Sequence, residues 1–341
     1  MEQSLISFRN RFREQLSSFL WRQWHALGVA GYEGALDDWY IDPEALLLFS
    51  LTISRSEARL FDEIMDWLAA NGNFINIQRL KTILSKEHFS SGKVLIPVAE
   101  IMSNDGKLLK WKGLIKSGGM EEPAQESLFF SADGLPVQMF GSPDKVFYKH
   151  GFERGEFKLR GHTQQVRNIR NTGVLFKLRA LFGINVRCEI ILYLLTHESA
   201  HPSKIAHEAY YAQKTVQDIL VDMVKSGLVF MRPYGKEKHY WLKADKWFEF
   251  LNIEKTGLKW TNWPSLFGAL EKIWLKLNDD KLINMDALMQ SSELRQLMGE
   301  IRPKIETAGF GALLSDEKQY LGESYTDVFL GDIEKILVNR A

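Results

Sequence analysis

Apolar positions recur at three- and four-residue steps along most of this chain, the pattern of amphipathic helices. Leu5, Phe8, Phe12, Leu16, Phe19, Leu20, Trp24 and Leu27 predict a first helix over residues 4–27, with Arg9, Arg11, Arg13 and Arg22 making it basic as well as aromatic. That combination suits a docking or dimer helix better than a membrane-surface one, because it lacks lysine clusters and lipidation. Asp42-Pro43 opens the next helix, aspartate as cap and proline in the first turn, and Leu46, Leu47, Phe49 and Leu51 follow. Leu60, Phe61, Ile64, Trp67 and Leu68 give a third helical face, closed by Asn71-Gly72. Asn76 then caps a fourth with Ile77, Leu80, Ile83 and Leu84 inside and Arg79 and Lys81 outside. Two more helices are predicted near 94–102 and 108–115, around the turn Asn104-Asp105-Gly106.

Periodicity breaks down between Lys116 and Gly155, where Pro123, Asp133-Gly134, Pro136 and Gly141-Ser142-Pro143 punctuate the chain. Leu128-Phe129-Phe130 and Val146-Phe147-Tyr148 read there as short strands, and the apolar content is too high for disorder. From Phe157 to Cys188 no acidic residue occurs, while Lys158, Arg160, Arg167, Arg170, Lys177, Arg179 and Arg187 do. Such a run is either a phosphate-contacting segment or a set of arginines paired with acids elsewhere in the fold. Helical periodicity resumes after residue 245. It runs through Trp247, Phe248, Phe250 and Leu251; through Leu266, Leu270, Ile273, Trp274 and Leu277; from Met285, Leu288 and Met289 under an Asn284 cap to Pro303; and through Val328, Phe329, Ile333 and Leu337.

The middle of the chain is the most specific part. Ile190, Ile191, Leu194 and Leu195 form an apolar stripe ending at Thr196-His197-Glu198-Ser199. Pro202 starts a short helix to Ala209, and Tyr210-Tyr211-Ala212-Gln213 makes a break. A third helix carries Val216, Ile219, Leu220, Met223 and Val224 on one face and stops at Ser226-Gly227. Leu228–Met231, a turn at Arg232–Lys236 and His239–Leu242 then read as a β-hairpin. Helix, helix, turn, helix, hairpin over residues 181–242 resembles the winged helix-turn-helix of MarR/ArsR-type bacterial regulators, through Ile205-Ala206, Thr215-Val216, Leu220 and Ser226-Gly227-Leu228-Val229. The resemblance implies a third helix in the DNA major groove, read through Gln213, Lys214, Thr215 and Gln217, with Arg232, Lys236 and Lys238 as wing contacts. The basic run before it, through Arg167 and Arg170, is the candidate for further phosphate contacts if it is not paired within the fold. Asp218 and Asp222 lie on the same outer face and would repel phosphate, or point to water.

Composition adds constraints rather than a function. Lys and Arg number 43 and so do Asp and Glu, so the total charge points to no polyanion partner. From Glu306 onward acids outnumber bases, which argues against DNA on that side. The single cysteine, Cys188, leaves no intramolecular disulfide and fits a reducing cytoplasm, as a buried thiol in the first helix of the module. No apolar run approaches the ~20 residues of a membrane span. His197-Glu198-Ser199-Ala200-His201 matches H-E-x-x-H, with His207 at the place of a third ligand. A zinc hydrolase needs both histidines one turn apart on a helix, with Glu198 as base. Pro202 and the helix end at Thr196 put them in a loop instead, and Lys204 stands where the extended motif needs glycine. No P-loop, dinucleotide fingerprint or nucleophile elbow occurs.

The sequence therefore predicts a mainly α (α+β) protein: a helical region 1–116, a junction with short strands and a basic segment 117–180, a winged helix-turn-helix 181–245 and a helical region 246–341. Its expected activity is non-enzymatic, sequence-specific binding of double-stranded DNA by a cytoplasmic regulator that needs no cofactor. The resemblance implies a homodimer, and the helical flanks are candidates for a small-molecule or protein effector. The competing expectation is a protein-interaction scaffold, for instance partnering a toxin or a defence-system subunit.

Overall fold

The two helices whose sequences are apolar on nearly every side are the two that lie innermost. Helices with no polar face bury all round. The computed structural model describes residues 2–30, 39–115, 123–139, 141–163, 166, 171–254 and 258–338, and it is mainly helical with two small two-stranded sheets. In chain order the elements are α1 (Glu2–Ala26), α2 (Pro43–Ile53), α3 (Ala58–Asn71), α4 (Ile77–Glu87), α5 (Gly92–Ser103), β1 (Glu126–Ser127), α6 (Lys145–Lys149), β2 (Phe152–Glu153), α7 (Val174–Phe182), α8 (Val186–Thr196), α9 (Pro202–Ala209), α10 (Gln213–Lys225), β3 (Val229–Tyr234), β4 (Glu237–Leu242), α11 (Ala244–Leu251), α12 (Trp263–Leu277), α13 (Asp280–Ile283), α14 (Ala287–Thr307) and α15 (Tyr325–Val338).

Every residue of α2 is buried, and its start is fixed as the sequence predicts: Asp42 accepts from Ala45 N with Pro43 in the first turn. Around it pack α1, α4, α5 and α12. Phe49 stacks on Phe267 of α12 with ring centroids 4.7 Å apart, α14 packs on α12, and α15 packs on α14 and α1, so the N- and C-terminal helices share packing. The second inner helix is α8, where Val186 and every residue from Cys188 to Leu195 are buried. It is wrapped by α7, α9, α10, α11 and β4.

Several elements depart from expectation. Val146-Phe147-Tyr148 lies in α6, because Asp144 accepts hydrogen bonds from Val146 N and Phe147 N and so caps a helix in an apolar run too short to be diagnostic. The strands of this region are β1 and β2, paired in parallel. Residues 106–114 form 3-10 turns rather than an α-helix. The cap of α14 is Asp286, not Asn284, and the helix continues past Pro303 to Thr307, since Leu297, Ile301 and Ile305 hold both halves in the core. The junction is packed, not loose: Arg154 pairs with Asp62 at 2.8 Å and sits over the rings of Phe129, Phe147 and Phe157. Among the described residues no helix is long and apolar enough to cross a membrane.

Candidate nucleic-acid interface

Helices α8, α9 and α10 pack against one another, and β3 and β4 follow as an antiparallel hairpin. α10 turns Val216, Leu220 and Met223 inward. The remainder of its first two turns faces water, so Gln213, Lys214, Thr215 and Gln217 are all exposed. Asp218 and Asp222 share that outer face, and Asp222 pairs with Lys225 at 3.2 Å. The hairpin is longer than its sequence suggests: pairing runs from Val229↔Leu242 to Tyr234↔Glu237, which leaves Gly235-Lys236 as a two-residue turn with Gly235 at φ +60°. Pro233 is accepted in β3 because an edge strand leaves its backbone unpaired on one side. Arg232, Lys236 and Lys238 are exposed on this hairpin. Among the described residues Lys214, Arg232, Lys236 and Lys238 have no acidic partner, whereas Lys204 and Lys225 are paired.

The linker between α8 and α9 is drawn into the hairpin. Ala200 exchanges two backbone hydrogen bonds with Tyr240, of 3.0 and 2.9 Å, and thereby adds a single-residue bridge to the other edge of β4. This pairing decides the fate of the H-E-x-x-H sequence. His197 ends α8 with extended backbone, Ala200 is in the ladder, and His201 is the N-cap of α9, accepting from Ser203 N. His197 stacks on Tyr193 with centroids 3.9 Å apart and bonds the Tyr193 carbonyl. The two histidines thus have separate structural tasks, and no cluster of three metal-ligating groups occurs among the described residues.

What holds α10 in place is the stretch that the sequence shows only as a break. Tyr210 adopts a left-handed backbone, φ +63°, at the end of α9, and its buried hydroxyl bonds Glu87 of α4, Asn262 and Ser265 of α12. Glu87 in turn pairs with Lys304 of α14. Tyr211 donates to Glu189 of α8 at 3.2 Å and accepts from Asn76 Nδ2 at 2.8 Å. Two adjacent tyrosines in a turn are more apolar surface than a solvated connection carries, and that was the available signal.

A second buried network ties the same unit to the N-terminal helices and overturns one expectation. Arg79, predicted to face water, is 3% exposed. It bonds both oxygens of Asp42 at 2.5 and 2.8 Å, Glu44 at 2.7 Å and the Ala209 carbonyl at 2.9 Å. Arg179 of the basic run bridges Glu44 and Glu189. For Arg179 the paired alternative therefore holds, and Arg160 lies 3.7 Å from Glu63. Arg167 and Arg170 lie outside the described residues. Burial favours the neutral form of Glu44, yet Arg179, Arg79 and the Asn76 N–H outweigh it and hold the carboxyl at about 2.

Comparison of the chain with protein-family models, with curated proteins and with solved structures finds no match.

Proposed function

We propose that residues 186–242 act as a winged helix-turn-helix and that the protein is a sequence-specific DNA-binding regulator. In this reading α10 enters the major groove, Gln213, Lys214, Thr215 and Gln217 meet base edges and nearby phosphates, and Arg232, Lys236 and Lys238 hold the backbone beside it. The observation that carries the reading is that Lys214 on α10 and Arg232, Lys236 and Lys238 on the hairpin are all exposed with no acidic partner among the described residues, whereas the buried Arg79 and Arg179 are matched by carboxylates. Unpaired surface cations are free to displace counterions from a duplex. A homodimer reading two half-sites, and an effector acting on the helical body, complete the proposal.

The test is selection from a random duplex pool by the full chain, followed by salt titration of the enriched site. A recurrent motif, with affinity falling steeply as salt rises and lost in Lys214→Ala and Gln217→Ala, supports the reading. Failure to enrich any motif removes it. One observation favours a second reading, a protein-interaction scaffold: Val221 on α10 and Leu228, Met231 and Tyr234 on the hairpin expose apolar side chains amid the same cations. Sequence-blind binding together with stable copurification of one partner would select that reading.

A further inference from the structure

We propose that a cavity between α1, the start of α5, the 130–135 turn and α12 is a binding site for a small phosphate monoester with an apolar body. This proposal is independent of whether α10 reads DNA.

The cavity holds about 430 Å³, within the range of small-molecule sites. Its lining is part polar and part apolar. Arg9 and Arg13, one turn apart on α1, line it together with Ser90 and Ser91 at the start of α5. Ser91 is 1% exposed, yet its Oγ has no hydrogen-bond partner among the described residues. A buried hydroxyl left that way is costly in a folded protein unless something else meets it. Ser91 is also the N-cap residue of α5 and makes no side-chain cap, so the first N–H groups of this twelve-residue helix have no side-chain acceptor there. Arg9 repeats the pattern: its Nε is buried and without acceptor. No acidic side chain pairs with Arg9 or Arg13 among the described residues, although Arg11, on another face of α1, pairs with Glu334. Two guanidinium groups, a hydroxyl and a helix start are donors only, or donors first, and together they match the several acceptor oxygens of a phosphate.

The apolar lining of the same cavity comes from Leu51, Val94, Phe130 and Trp274. Phe130 is held in place by Arg55, whose carbonyl accepts from Phe130 N at 2.8 Å and whose guanidinium lies 4.9 Å from its ring. Arg55 is otherwise committed to Glu126 and to the Ser127 and Leu128 carbonyls, so it is a wall and not a free cation. The Ser131–Leu135 turn, with Gly134 at φ +77°, closes this side. An apolar or aromatic body fits here, and inorganic phosphate alone would leave it empty. Acids are present as well. Asp133 and Asp280 are exposed lining residues, where solvent screens them. Glu271 lies behind Thr52 and Ser90, bonded to both hydroxyls and to Ser90 N, and burial raises its pKa toward the neutral form.

The experiment is calorimetric titration of the full chain with phenyl phosphate and with adenosine 5′-monophosphate, against inorganic phosphate and adenosine as the two halves. The expected result is saturable binding of at least one monoester, at least about tenfold tighter than either of its halves or than inorganic phosphate. The Arg9→Ala/Arg13→Ala double variant should lose at least about tenfold in affinity and Ser91→Ala several-fold, while Lys246→Ala, on distant α11, binds normally. Circular dichroism of each variant separates lost binding from lost folding, and Arg13→Gln alone serves if the double variant is unfolded. Absence of saturable binding of both monoesters at millimolar concentration, or binding indifferent to Arg9 and Arg13, overturns the proposal.

Discussion

Arg179 and Glu44, 135 residues apart, are joined by two hydrogen bonds of 2.6 and 2.8 Å, and neither side chain has any exposed surface. The pair fastens α7 to the inner helix α2, and Glu189 of α8 completes it. Removing one member of a buried ion pair strands the other in a medium of low polarity. Arg179→Met should therefore destabilise the protein by about 3–5 kcal/mol, read as a lowered urea midpoint. A loss below about 1 kcal/mol would mean that water reaches the site and the network carries little.

The same carboxylate makes a pH prediction. Glu44 titrates near about 2 in the fold against an ordinary 4.5, so the unfolded chain takes up its proton first as pH falls. The stabilisation is fully present above the ordinary value and is withdrawn as pH drops from there toward about 2. Urea midpoints measured across that interval should fall, and Glu44→Gln should flatten this limb while starting from lower stability at neutral pH. An unchanged slope in the variant would assign acid sensitivity to other groups.

Tyr210→Phe keeps the ring and the left-handed turn but removes the hydroxyl that Glu87, Asn262 and Ser265 share. Loss of a buried hydrogen-bonded hydroxyl beside a carboxylate should cost about 1–3 kcal/mol, seen by equilibrium denaturation. Stability equal to the parent would show that Lys304 and the neighbouring hydroxyls satisfy Glu87 unaided.

Local chemistry was legible at several helix starts, though not at α14, whose cap is Asp286 and not Asn284. Asp42-Pro43, Asn76 and Pro202 mark helix starts where the structure has them, because each cap acts on N–H groups two or three residues away. The burial of Arg79 was not legible, since its partners Asp42, Glu44 and Ala209 lie 35 to 130 residues away and no periodicity within α4 encodes them. At the candidate interface, the exposure of Gln213, Lys214, Thr215 and Gln217 follows from the inward stripe of α10. The Ala200–Tyr240 pairing did not, because a single bridging residue leaves no alternation to detect.

Asp218 tests which way α10 points. It is exposed, one turn after Lys214, and has no cationic partner among the described residues. With α10 against a duplex, Asp218→Asn removes a repulsion from phosphate and should tighten binding about twofold or more at low salt, measured by fluorescence anisotropy. Weakened binding would instead mark Asp218 as a direct reader of cytosine.

Cys188 should be inert in the folded protein. Burial, then the nearby Glu189 charge, push its thiol up to about 12, so almost no thiolate exists at neutral pH. An aromatic disulfide reagent should titrate no thiol in native protein and one per chain in urea. Rapid reaction of the native protein would mean that α8 opens locally.

The turn before α10 is bolted on both sides, Tyr210 to α4 and α12, Tyr211 to α8 and Asn76. A helix mounted in that way behaves as a fixed stylus. A hinge at this turn would have to break those buried hydrogen bonds, so under the proposed function the angle at which α10 meets a duplex is set by α4, α8 and α12 rather than by the turn itself.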